Sequence, residues 1–223
     1  MVRYDATIES MFTYTNRRGV TYYVHEAWTK TGARRYVAKR TAQGALAQLP
    51  AGREIVENVN GQVSVRAARP VTILPLEERL VQQVLAKHGR EKYRVEVKGR
   101  DIIVYEPESD ADELAEILNP RRPLDALGKA LDKMMLAKVG KAAWKQYLRQ
   151  KKEQVRQGLE RTMRYSPVLR FRMDDDERRR LSVERMSYRA EGGWLWLKSD
   201  MPLAAACERY VPLLGTDDMF EEF

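Results

Sequence analysis

Lys138-Val139-Gly140-Lys141-Ala142-Ala143-Trp144-Lys145-Gln146-Tyr147-Leu148-Arg149-Gln150-Lys151-Lys152 is the stretch on which the reading of this chain turns. Before it, Leu124, Leu127, Leu131, Met134 and Met135 recur at three- and four-residue steps, a seam expected to face a core. After it the helical pattern resumes from Lys141 to Arg164. Glycine inside a helix costs about 1 kcal/mol relative to alanine, so the spacing predicts two helices divided near Gly140. The surrounding segment, Arg121 to Tyr165, has no proline after Pro123 and carries thirteen Lys/Arg against four Asp/Glu, a net of +9. Residues 1–120 come to +2 and residues 166–223 to −3, so the excess of the +8 chain is concentrated at its centre.

On either side the pattern is that of strands. Met11–Thr15, Val20–Trp28 and Arg34–Lys39 are rich in aromatic and β-branched residues and are separated by Asn16-Arg17-Arg18-Gly19 and Thr29-Lys30-Thr31-Gly32. These predict three antiparallel strands. Residues 42–48 leave room for one or two helical turns. Arg53–Val59 and Gln62–Ala67 flank Asn60-Gly61, which predicts a hairpin with a two-residue type I′ turn. Pro75–Lys87 spaces Leu76, Leu80, Val81, Val84 and Leu85 as one helix face. A third hairpin is predicted at 93–105, and Asp110 is placed to cap a short helix over 111–118. Beyond Pro167 come three strands, at 168–172, 181–189 and 194–198, then a helix from Pro202 to Leu214 and an acidic tail. The fold class is α+β: antiparallel β-hairpins at the N-terminus, central basic helices, and a C-terminal three-stranded meander plus helix. Three regions follow: 1–107, a basic helical connector at 108–165, and 166–223.

Composition is that of a folded globular chain, 43% hydrophobic and 32% charged, and a pI near 9.5 favours polyanionic or acidic partners. The single cysteine, Cys207, precludes an internal disulfide and suits a reducing compartment; in Ala204-Ala205-Ala206-Cys207 it reads as a buried small apolar residue. The first residues lack the apolar core of a signal peptide, and no apolar run approaches membrane-spanning length. The expectation is a cytoplasmic protein without a membrane partner.

Placed on a wheel at about 100° per residue from Trp144, the apolar Trp144, Leu148, Val155 and Leu159 fall within roughly 0–60°. Lys138, Lys141, Lys145, Arg149, Lys152 and Arg156 fall within roughly 60–140° beside them. A row of this kind can neutralise consecutive phosphates. The alternative is a solvated face whose lysine stems cover apolar neighbours. An acidic protein partner is a further candidate for the basic row, and the apolar row is the candidate surface for docking a partner or a second copy. Arg17, Arg18, Arg34 and Arg35, interleaved with Phe12, Tyr14, Tyr22, Tyr23, Trp28 and Tyr36, form a second candidate, since aromatic faces with nearby cations suit stacking on bases. The competing reading puts Val20, Tyr22, Val24 and Trp28 on a core face.

Three strands followed by a helix resemble, in outline and over about forty residues, the DNA-reading arm domains of tyrosine-type recombinases. The tail Asp217-Asp218-Met219-Phe220-Glu221-Glu222-Phe223 resembles the acidic, aromatic-ended tips by which single-strand-binding proteins recruit partners; the plainer expectation is that Phe220 and Phe223 pack on the last helix. Catalytic signals are sparse. Glu96-Val97-Lys98 has the spacing of half a metal-dependent nuclease site, with Asp101 the nearest second acid. His25 and His88 stand far apart without cysteines, so no zinc site is expected. Gly140-Lys141-Ala142 lacks the rest of a phosphate-binding loop, and Asp174-Asp175-Asp176-Glu177 lacks the glycine and spacing of a calcium loop. No cofactor or metal is assigned. The function expected is non-catalytic nucleic-acid binding with low sequence specificity; an assembly module and a nuclease are the alternatives.

Overall fold

A computed structural model describes residues 11–118, 126–187 and 193–221, with the side chains of 126–129, 131 and 132 left out of the description. The chain divides into two compact units, residues 1–106 with 165–223, and residues 107–164.

In the first unit, Thr13–Thr15 (β1), Thr21–Trp28 (β2) and Arg34–Lys39 (β3) form an antiparallel sheet in sequence order. Tyr14 faces Tyr22, and Glu26 faces Tyr36, so Val20, Tyr22, Val24 and Trp28 share one side as alternation requires. Val24 is fully buried there, whereas Trp28 at the strand end is 64% exposed. After β3 the described chain passes through turns, with the Ala45 N–H bonded to the Ala42 carbonyl and Gly44 at φ +78°, and no helix forms over 42–48. The helix that a likeness to recombinase arm domains requires after the third strand is therefore absent from residues 42–48.

Arg53–Glu57 (β4) and Val63–Ala67 (β5) form the second hairpin, with Glu57 opposite Val63. Its turn differs from the two-residue expectation. Asn58 donates to the Gln62 carbonyl at 3.0 Å, and Gly61 donates to the Asn58 carbonyl at 2.9 Å. A type I′ turn needs positive φ at both central residues, but here only Gly61 (φ +73°) takes it, while Asn60 does not. The loop is the three-residue form, and it leaves the Asn60 side chain free for another partner.

The third sheet has the order β10-β9-β8-β7-β6, built from Arg94–Lys98 (β6), Asp101–Pro107 (β7), Tyr165–Asp175 (β8), Arg180–Ser187 (β9) and Gly193–Pro202 (β10). Strands adjacent in sequence are adjacent in space, so this is one antiparallel meander whose β7–β8 connection is residues 108–164. Pro75–Lys87 (α1) and Leu203–Tyr210 (α5) pack on each other, α1 against β6 and α5 against β9 and β10. The core is formed by Ile102, Val104, Leu169, Phe171, Met173, Leu181 and Val183 of the sheet with Val81, Leu85, Leu203, Ala206, Cys207 and Tyr210 of the helices. Leu76 is not part of it. It lies five residues before Val81, about 140° round the helix, and is 69% exposed. Cys207 is buried on α5 as its small apolar neighbours imply.

The C-terminal stretch is held within this unit. Asp218–Glu221 forms a single turn (α6) and buries Met219, whereas Phe220 is 61% exposed, with the Arg185 guanidinium 5.1 Å from its ring centroid. The anchoring residue is thus Met219 rather than Phe220; Phe223 lies outside the described residues.

The second unit contains Ala111–Ile117 (α2), Ala126–Val139 (α3) and Lys141–Thr162 (α4). Asp110 caps α2 by accepting from the backbone of Asp112 and Glu113, which satisfies donors a helix start leaves open. Gly140 separates α3 from α4 at φ +83°, ψ 157°, a conformation in which a side chain is strained. α4 contacts both α2 and α3, and the Glu108 N–H donates to the Arg164 carbonyl at 3.0 Å, closing the base of the unit. Of the expected apolar seam on α3, Met134 is 56% exposed and Met135 half-buried; Leu124, Leu127 and Leu131 fall outside the described side chains.

Candidate nucleic-acid interface

The basic row divides into two parts with different electrostatics. Residues 141–152 of α4 hold five Lys/Arg and no acid. Lys141, Lys145 and Arg149 recur every fourth residue, are exposed, and among the described residues have no ion pair. At 1.5 Å rise per residue they are spaced about 6 Å along the axis. Lys152 and Arg156, further on, are already matched. Lys152 pairs with Glu116 of α2, while Arg156 pairs with Glu153 at 2.7 Å and with Glu160 one turn on. The Arg156 guanidinium, with Gln157, holds the Glu153 carboxyl down at about 2, so both cations of this cluster are matched by charged carboxylates. Lys138 belongs to the last turn of α3, where a cation suits the negative helix end. Because Gly140 leaves the helical region, one wheel cannot relate Lys138 to the α4 row.

The apolar residues beside the row are only partly covered. Trp144, Leu148, Val155 and Leu159 are all half-buried, and α4 buries no residue completely. Trp144 stacks on Tyr147 with centroids 5.2 Å apart and planes 15° from parallel; Lys151 Nζ lies 5.8 Å from the Tyr147 ring centroid. Leu159 instead lines a cleft with Leu114, Thr162 and Met163.

The four arginines of the first sheet have separate roles. Arg34 pairs with Glu26 at 2.6 Å and lies over the Tyr36 ring, which Arg53 also contacts. Arg35 is exposed opposite Ala27. Arg17 is half-buried, its backbone N–H donates to Glu57, and its guanidinium lies over the Tyr165 ring at 5.4 Å. Arg18 is exposed beside Gly61. Arg94, which nothing in the local sequence marks, reaches the same Tyr165 ring at 5.7 Å.

Glu96 and Lys98 of β6 are paired with each other at 3.0 Å, and Lys98 also donates to the Tyr105 hydroxyl at 3.1 Å. Those contacts together outweigh the desolvation that burial imposes on Lys98, whose pKa is raised. Asp101 faces Lys98 across the hairpin and lies 3.9 Å from Arg172. His25 is buried with Nε2 2.8 Å from the Thr41 carbonyl. Asp176 pairs with Arg100 and Asp175 with Arg178, while Arg179 and Arg180 pair with Glu77 and Asp200. Among the described residues no grouping of three metal-ligating side chains occurs, and no helix is long and apolar enough to cross a membrane. Compared with protein-family models, with curated proteins and with solved structures, the chain matches none.

Proposed function

We propose that this is a non-catalytic nucleic-acid-binding protein of low sequence specificity, which lays α4 along a phosphate backbone through Lys141, Lys145 and Arg149. The observation that carries this reading is the acid-free first half of α4, whose three exposed cations have no counter-charge among the described residues. Flexible cations aimed at phosphates supply affinity and position but no base reading, hence the low specificity. Duplex and single-stranded DNA and RNA, titrated across a salt series, test it. Absence of binding to every probe at about 50 mM salt, where counterion release favours association, removes the reading.

A second reading, assembly through apolar contact, is favoured by the exposure of Met134 (56%), Leu136 (40%), Val139 (43%) and Tyr147 (45%) on α3 and α4. Light scattering separates the two: a stable oligomer insensitive to salt and without nucleic-acid affinity supports assembly.

A further inference from the structure

Tyr165, at the start of β8, is 3% exposed, and the loops around it are tightly organised. Asn16 is 4% exposed; its Oδ1 accepts from the N–H groups of Arg18 (3.1 Å) and Val20 (2.9 Å), and its Nδ2 donates to the Gly61 carbonyl at 2.8 Å. This fixes the Asn16–Gly19 tip against the β4–β5 turn. Glu57 fastens it a second time, accepting from the Arg17 N–H at 3.0 Å and from the Tyr14 hydroxyl at 2.8 Å. Asn60 then ties that turn to the Tyr165 backbone. The chain carrying Arg17 and Arg18 is therefore held in place before any ligand arrives, and little ordering remains to oppose binding.

Three arginines stand on or beside this frame among the described residues. Arg17 and Arg94 both lie against the Tyr165 ring, at 5.4 and 5.7 Å, where the aromatic quadrupole favours guanidinium. The Arg18 side chain lies so near the β4–β5 turn that a Cβ at Gly61 would meet its Nε at 3.0 Å. Arg18 and Arg94 have no ion pair among the described residues, and the Glu57 carboxylate already accepts from two donors. Burial lowers the Arg17 pKa, Tyr165 and Glu57 oppose that shift, and the charges of Arg18 and Arg94 add to it. Guanidinium forks match the spacing of phosphoryl oxygens and bind them with charge-assisted hydrogen bonds.

We infer that Arg17 and Arg94, which both lie against the Tyr165 ring, and Arg18, which lies beside Gly61 and acts electrostatically on Arg17, form an oxyanion site that takes a phosphoryl group. The group is either a backbone phosphodiester, which rests on and extends the function proposed above, or the phosphate of a free small molecule, which is independent of it. The test titrates inorganic phosphate, pyrophosphate and a fluorescent single-stranded oligonucleotide into the full chain and into Arg18→Gln/Arg94→Gln. Arg79→Gln/Lys87→Gln, which removes two exposed charges from α1, is the control, and circular dichroism verifies that each variant is folded. The expected result is about a tenfold or greater loss of affinity for at least one probe in the arginine variant, with the control within about twofold of the parent. Loss for phosphate or pyrophosphate identifies a free ligand; loss for the oligonucleotide alone identifies a backbone. The site is overturned when no probe binds, when the arginine variant binds all of them like the parent, or when the control loses as much. Reversing the α4 row separates the two proposals. Oligonucleotide binding lost there but untouched by Arg18→Gln/Arg94→Gln leaves the helix and restricts this site to a free phosphate, and removes the site when phosphate and pyrophosphate binding are untouched as well; the opposite pattern keeps the site and removes the helix.

Discussion

The Asn60 carboxamide and the Tyr165 backbone hydrogen-bond to each other twice, the side-chain amide donating to the Tyr165 carbonyl at 2.9 Å and its oxygen accepting from the Tyr165 N–H at 2.8 Å. One side chain stands in for a peptide group and joins the β4–β5 turn to the first residue of β8. Replacing it with alanine leaves both polar groups of a buried residue without that partner. Asn60→Ala is expected to lower stability by about 1–3 kcal/mol, read by urea denaturation. A loss below about 0.5 kcal/mol would show that solvent replaces the pair at no cost.

Gly140 at φ +83° has nothing within 4 Å of a would-be Cβ, so the cost of a side chain there is backbone strain and not collision. Gly140→Ala is expected to destabilise the helical unit by about 1–3 kcal/mol. Hydrogen exchange of α3 and α4 amides, faster in the variant, is the readout. Unchanged or slower exchange would mean that alanine has merged the two helices.

Nucleic-acid binding should depend on where in the row a charge is removed. Reversing Lys141, Lys145 and Arg149 to Glu is expected to reduce the slope of log K against log salt by about 2–3, each lost phosphate contact contributing about 0.7–0.9. Lys152→Gln should cost less than Lys145→Gln, because Lys152 is already paired with Glu116. Equal losses would mean that overall charge, and not the free row, governs binding.

Burial pushes the Cys207 thiol up to about 12 from its ordinary 9.0. The folded chain therefore keeps this proton while the unfolded chain releases it above pH 9. Stability attributable to Cys207 is intact below that pH and declines toward pH 12, by about 1.4 kcal/mol per unit for one proton. Cys207→Ala removes this component, so the gap in stability between parent and variant should narrow between pH 8 and about 10.5. The folded thiol should also resist iodoacetamide; rapid alkylation in native buffer would contradict its burial.

Much of the local structure was legible in the residues. Alternation and glycine-bearing turns located the hairpins; Asp110 announced the cap of α2; Gly140 divided the basic helices. Legibility ended where geometry depends on a side chain's third neighbour. The helical spacing of Leu76 matched Leu80, yet the core centred on Val81 and Leu85 and left Leu76 in water. The Asn60-Gly61 pair marked a turn but not its length, since both loop forms use glycine with positive φ.

By itself, then, the sequence determined the elements and the distribution of charge, because propensity, capping and turn chemistry act over a few residues. Only tertiary structure decided that β7 and β8 are neighbours in one meander despite the helices between them, for strand pairing over that separation depends on matched apolar faces and not on any local pattern. It also decided which cations are already neutralised, as Lys152 is by Glu116, and which are brought together from afar, as Arg94 is to Arg17 around Tyr165. Charge is written in the chain, but its counter-charge is chosen by folding.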